Sequence, residues 1–253
     1  MRTTKFILFS FICISLTSCN VLMQGVSNSG TLSIPTTDIE NIAGIKNALL
    51  LGTERAVSDL SIENGFYGNQ AFKLLLPEEA QTIVENISLI PGGKALVDKA
   101  ILSINRSAED AVKEAGPVFK KAIQDMTISD AMGILLGGSN AATQYLQKTT
   151  STELKNLFLP KVQASLKKPL VGDVSTTETW NLLINAYNSA ANSTLGKLAS
   201  LKPVNTQLDQ YVTDKALSAL FTKMAETENS IRTDPAARTT TLLKRVFGQL
   251  DNK

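Results

Sequence analysis

Between residues 206 and 231 an apolar side chain returns at every fourth position, as Leu208, Val212, Ala216, Leu220 and Met224. A helix repeats about every 3.6 residues and a strand every two, so this spacing lays one apolar stripe along a helix of roughly 38 Å, from about Thr206 to Ile231. Helical intervals recur through the rest of the chain. Thr37-Asp38-Ile39-Glu40 has the capping-box spacing, and Ile39, Ile42, Ile45 and Leu49 carry a first helix to about Leu60. Asn64 to Asn69 is a turn cluster. Pro77, followed by Glu78 and Glu79, starts a second helix that Pro91-Gly92-Gly93 ends. From Lys94 to Ala115 the stripe is Leu96, Ala100, Ile104, Ala108, Ala111 and Ala115, with Arg106 and Asp110 as a solvated pair on the opposite side.

Gly116-Pro117 begins a short helix to about Met126, and Thr127 caps another through Leu136. Gly137-Gly138-Ser139-Asn140 is a stop and restart. Ser151 caps the following helix, which Pro160 kinks. Leu170 to Thr177 is a loop, Glu178 to Ala191 is helical, and Asp234-Pro235 opens the final helix with its apolar face Leu242, Leu243, Val246, Phe247 and Leu250. Sustained strand alternation and a fixed-period repeat are both missing. The expectation is an all-α fold, a compact bundle of eight to ten helices.

The beginning of the chain has another character. Arg2 and Lys5 precede an uncharged apolar run, Phe6 to Leu16, too short to span a bilayer, and the run ends in Leu16-Thr17-Ser18-Cys19. An apolar residue, two small residues and a Cys at the end of such a leader look like the site read by the lipoprotein signal peptidase. Residues 1–18 are therefore expected to be a signal peptide, Cys19 the lipidation site, and 19–36 the acylated cysteine with a Ser-, Gly- and Asn-rich tether. Several acyl chains make a durable anchor at about 0.8 kcal/mol per buried methylene. Asn20 after the Cys leans towards the outer membrane, facing the periplasm or the surface. Residues 37–253 remain as one helical domain.

Removal of the leader excludes several chemistries. Cys13 leaves with it, so Cys19 is the sole remaining cysteine, and the chain contains no histidine. Thiol nucleophiles, the Ser-His-Asp triad, the usual zinc sites and His-ligated haem fall away. No loop has EF-hand spacing, so no metal and no cofactor are expected. The 25 basic and 23 acidic residues become 23 of each once Arg2 and Lys5 are gone, which argues against a nucleic-acid partner. About 215 residues are enough to bury roughly 70% of the unfolded surface in one core.

Polar residues on otherwise apolar helices are the candidate site. Asn105 and Glu109 flank Ile101, Ala108 and Val112, with Arg106 at the rim of any pocket they line. Their plainer meaning is a structural hydrogen-bond network, because a buried polar group without a partner costs about 1–3 kcal/mol. Gly137 to Thr143 resembles a phosphate cradle but lacks the P-loop lysine, so a helix corner is the simpler meaning, with Gln144 and Tyr145 just beyond it. Tyr145 is expected to be half-buried with its hydroxyl in water. Glu226, Glu228, Arg232, Asp234 and Arg238 gather at the last helix junction, where Glu228 and Arg232 pair four residues apart, and the two arginines could alternatively fork an anion. Trp180 reads as a core or groove anchor.

Asn105-Arg106-Ser107-Ala108-Glu109, Ala141-Ala142-Thr143-Gln144-Tyr145, Tyr211-Val212-Thr213-Asp214-Lys215-Ala216 and Asp234-Pro235-Ala236-Ala237-Arg238-Thr239-Thr240 resemble strings of the bacterial DUF4197 family, a domain of unknown function. The likeness runs from about Gly44 to Gly248. It implies a helical envelope domain, often exported or lipidated, with no activity to carry over, and it adds Tyr211 to the candidates. The expected function is a lipid-anchored, non-catalytic binding or scaffold module for an envelope protein or an apolar ligand. The alternative is a hydrolase using Glu109 or Glu226 with Tyr145 or Arg232.

Overall fold

Thr37 does cap α1 (Asp38–Leu60): its hydroxyl accepts from the Glu40 N–H while the Glu40 carboxylate accepts from the Thr37 N–H. The structure, a computed structural model, describes residues 36–251; the expected leader, Cys19 and tether lie outside the described residues. After α1 come α2 (Gln81–Glu85), α3 (Gly93–Val112), α4 (Ala115–Asp125), α5 (Ala131–Leu135), α6 (Ala141–Leu166), α7 (Thr176–Asn192), α8 (Thr194–Leu198), α9 (Leu208–Thr233) and α10 (Thr241–Phe247). Short 3-10 turns flank α2 and α10. The fold is all-α, with ten α-helices and no strand among the described residues.

α1 and α9 are the central pair. α4, α5 and α10 also pack on α1, α6 lies along α9, and α3 bridges α6 and α7. A Cβ on Gly44 would lie 2.7 Å from both Val246 methyls, so α10 seats directly on the α1 backbone there. The α3 stripe is buried as spaced, at Ala100, Ile104, Ala108 and Ala111, and its alanines let α6 and α7 approach closely. The main core holds Phe66, Phe119, Phe158, Trp180 and Tyr187, with Phe119 and Phe221 edge to face at 5.4 Å between centroids. A smaller cluster of Ala48, Leu135, Ile231, Leu243, Val246 and Phe247 fills the α1–α5–α9–α10 corner.

The structure departs from the sequence expectations at several joints, each for a local reason. The single helix expected from Pro77 is broken, because the Asn86 side chain donates to the Thr82 carbonyl (2.9 Å) and competes for the helical acceptor. Asp130, not Thr127, caps α5, accepting from Gly133 N at 2.7 Å. Ser151 caps nothing: its hydroxyl bonds back to the Gln147 carbonyl inside α6, which runs on through Pro160. Asp234 caps only the 3-10 turn Pro235–Ala237, and Thr240 caps α10. Arg106 pairs with Glu109 and Glu63 rather than Asp110, whose partners are Lys168 and Lys113. α8 has no counterpart in the sequence reading.

Candidate functional site

The candidate polar residues divide between two places. On the first, α3 faces the irregular segment between α1 and α2. The Asn105 side chain acts as a short strand edge: its Oδ1 accepts from Leu74 N (2.9 Å) and its Nδ2 donates to Leu74 O and Ile101 O (2.7 Å each). One turn on, Glu109 Oε1 accepts from Phe66 N (3.0 Å) and Tyr67 N (3.1 Å), while its Oε2 receives Arg106 Nη1 at 2.7 Å. Arg106 also reaches Glu63 (3.0 Å) and Asn64 (3.1 Å). Tyr211, on α9, donates its hydroxyl to the Leu75 carbonyl at 2.9 Å. Burial first, and the Glu79 charge second, raise the Tyr211 pKa above its ordinary value, so the phenol stays a donor. Together these four side chains pin an irregular stretch that has few backbone partners of its own.

The second place is the corner where α5 ends and α6 begins. The fully buried Glu228 carboxylate accepts from Ala142 N (2.9 Å), Thr143 N (2.7 Å) and Thr143 Oγ1 (2.7 Å), the free N–H groups of the α6 terminus. Arg232 donates to Glu228 (2.8 Å) and to the Leu135 and Ile134 carbonyls at the end of α5 (2.7 and 3.0 Å). The expected Glu228–Arg232 pair is therefore present, but buried and shared with two helix ends. The glycine corner that resembles a phosphate cradle is filled by the chain's own carboxylate. Arg238 donates to the Ile231 and Arg232 carbonyls (2.8 and 3.1 Å) and forks onto Asp251 at 2.6 and 2.7 Å. Both arginines thus have their donors taken. Tyr145 donates to the Thr127 carbonyl at 2.7 Å, where solvent was expected, and Gln144 sits at the surface on Asn140.

Chemically, the two buried acids have no free acceptor side to offer. A general base must face the proton it takes, at about 2.6–3.2 Å. Glu109 and Glu228 each face backbone N–H groups and a guanidinium instead. Among the described residues no group of three or more His, Cys, Asp or Glu converges as a metal site, and no helix is long and apolar enough to cross a membrane.

The open concavity lies beside the first cluster, between residues 71–81 and α9. This cleft, about 770 Å³, is walled by Phe72, Leu75 and Tyr211, with Lys73, Glu79, Lys215 and Glu226 around it. Leu75, one of its lining residues, is 54% exposed. Of the sequence candidates only Tyr211 and Glu226 line this cleft. The wall formed by residues 71–81 escaped sequence reading because that stretch has no periodicity, and the one available signal was Leu74-Leu75-Leu76 running into Pro77 without a helical partner.

No curated protein and no solved structure matches the chain. One family description, "Protein of unknown function (DUF4197)", matches residues 35–248, the whole helical body from the α1 cap to the end of α10. The same span contains the polar bonds described above apart from the Arg238–Asp251 fork, and the chain belongs to the DUF4197 family.

Proposed function

We propose that this protein is a lipid-anchored, non-catalytic binding module of the cell envelope, held at a membrane through Cys19, whose cleft between residues 71–81 and α9 receives a segment of a partner protein. One observation carries the reading: the buried Asn105 and the Tyr211 hydroxyl are consumed in holding Leu74 and Leu75 on the cleft wall, and the cleft itself is left open. Two lysines and three acids (Glu78, Glu79 and Glu226) sit beside Phe72, Leu75 and Tyr211. Such a mixed, wet lining suits a polypeptide with both apolar and charged side chains better than an apolar small molecule, which would strip water from the charges. The hydrolase alternative has less support, since the buried Glu109 already accepts from two backbone N–H groups and Arg106, and Glu226 is an exposed carboxylate bonded to Lys223 at 2.9 Å.

A photo-crosslinking side chain placed at Leu75 tests this in cells, with the same group at Leu157 on α6 as the control. The reading predicts a discrete adduct from position 75 that is missing from 157 and lost in Tyr211→Ala. Equal adduct patterns from both positions would overturn it.

A further inference from the structure

α8 carries the two most exposed leucines among the described residues. Its single turn carries Leu195 and Leu198, 72% and 83% exposed, on one side. An exposed leucine needs no explanation by itself. Here, however, the backbone is built to hold the pair outward. Ser193 caps the start, accepting from Gly196 N at 3.1 Å. At the other end Leu201 N donates to Gly196 O (3.0 Å) and Ser200 N to Lys197 O (3.1 Å), the paired bonds of a Schellman ending. That ending needs a left-handed residue, and the chain places Ser200 there at φ 56°. Gly196 faces the body: a Cβ on it would sit 2.2 Å from the Ala190 carbonyl oxygen. The turn is thus clamped against the end of α7 through its glycine, which leaves Leu195 and Leu198 no route to the core.

Along the chain, charge through this turn has one sign. From Thr179 to Leu208 there is no Asp or Glu, and the two charged residues are Lys197 and Lys202, both exposed. Apolar side chains on a rigid turn, flanked by lysines in an acid-free stretch, match a bilayer interface: leucines enter the acyl boundary while ammonium groups meet anionic headgroups. We infer that α8 is a membrane-contact element, docking the domain onto an anionic phospholipid surface through Leu195, Leu198, Lys197 and Lys202. The inference rests on the membrane-held reading only for which bilayer comes within reach.

The test leaves acylation out, so that it fails independently of Cys19. The chain from Asn20 to Lys253 retains every contact among residues 36–251. It is mixed with vesicles of phosphatidylglycerol and phosphatidylethanolamine, or of phosphatidylcholine alone, and sedimented. Binding to the anionic vesicles is expected, at least tenfold weaker in Leu195→Ser/Leu198→Ser and weakened by salt and by Lys197→Gln/Lys202→Gln. Circular dichroism and melting confirm that the variants fold; Leu195→Ala/Leu198→Ala serves if the serine pair does not. Equal binding of wild type and the leucine variants, or none by the wild type, overturns the inference. A loss of self-association in those variants without vesicle binding also overturns it, and assigns the patch to a second copy of the chain.

Discussion

Glu228, expected from its spacing to pair with Arg232, is used by the fold for joinery. Its carboxylate replaces solvent at the start of α6, and Arg232 does the same for the end of α5, so one ion pair closes two helix termini at once. Removing one partner of a buried pair leaves the other charged and unpaired, at a cost of about 3–5 kcal/mol. Glu228→Ala should lower the unfolding free energy measured by urea titration by that amount, and Glu228→Gln by less, since an amide oxygen can still accept from the α6 N–H groups. Equal, small effects of the two variants would contradict this role. Asn105→Ala removes both bonds to Leu74. Each newly orphaned backbone group costs about 1–3 kcal/mol, and the Leu74 amide should lose hydrogen-exchange protection before the α9 amides do. Protection unchanged at Leu74 would show that the 73–77 stretch is held by other means.

Among the elements, α3 and α6 are tied by Asp110, which receives Ser165 (2.7 Å) and Lys168 (2.6 Å). Burial pushes its carboxyl pKa up, but these bonds and the Lys168 and Lys113 charges outweigh burial and hold it below the ordinary value. A carboxyl depressed in the folded state adds stability above its unfolded pKa, near 3.9, and that contribution disappears as pH falls through the folded value. Asp110→Asn should therefore narrow its stability deficit as pH drops below about 4, measured by thermal melting across pH. A constant deficit would contradict the tie. At α8, Ser200→Gly should relieve the left-handed serine and raise the melting temperature by about 2–4 °C. Elements with a repeating stripe are legible: the spacing places α9 within two residues at each end, and the α1 cap to the residue. α6, as long as α9 but without one clear stripe, is divided at Ser151 by the sequence and continuous in the fold. α8 is a single turn with no period to detect, and Ser151 and Thr127 show that a capping residue type does not reveal whether its hydroxyl faces a helix start or its own preceding turn.

Across the whole molecule the division of labour is between inside and surface. Asn105 and Glu109 stand out in the sequence as polar residues on an apolar helix, and Arg232 and Arg238 as charges at a helix junction; a structural network and the Glu228–Arg232 pair are legible there, yet the backbone groups they hold are not, since spacing shows a residue's face and not its partner across the fold. Phe66, Tyr67 and Leu74, the backbone those side chains hold, carry no sequence mark of it. The cleft and α8, which remain free to meet something else, are surfaces made by tertiary packing. Both readings depend on where the body is held, and that rests on Cys19. Metabolic labelling of the full chain with a radioactive or clickable fatty acid tests it most directly. The account predicts label in the wild-type protein, on a chain shortened by its leader, and none in Cys19→Ser; label in both proteins, or in neither, would contradict it.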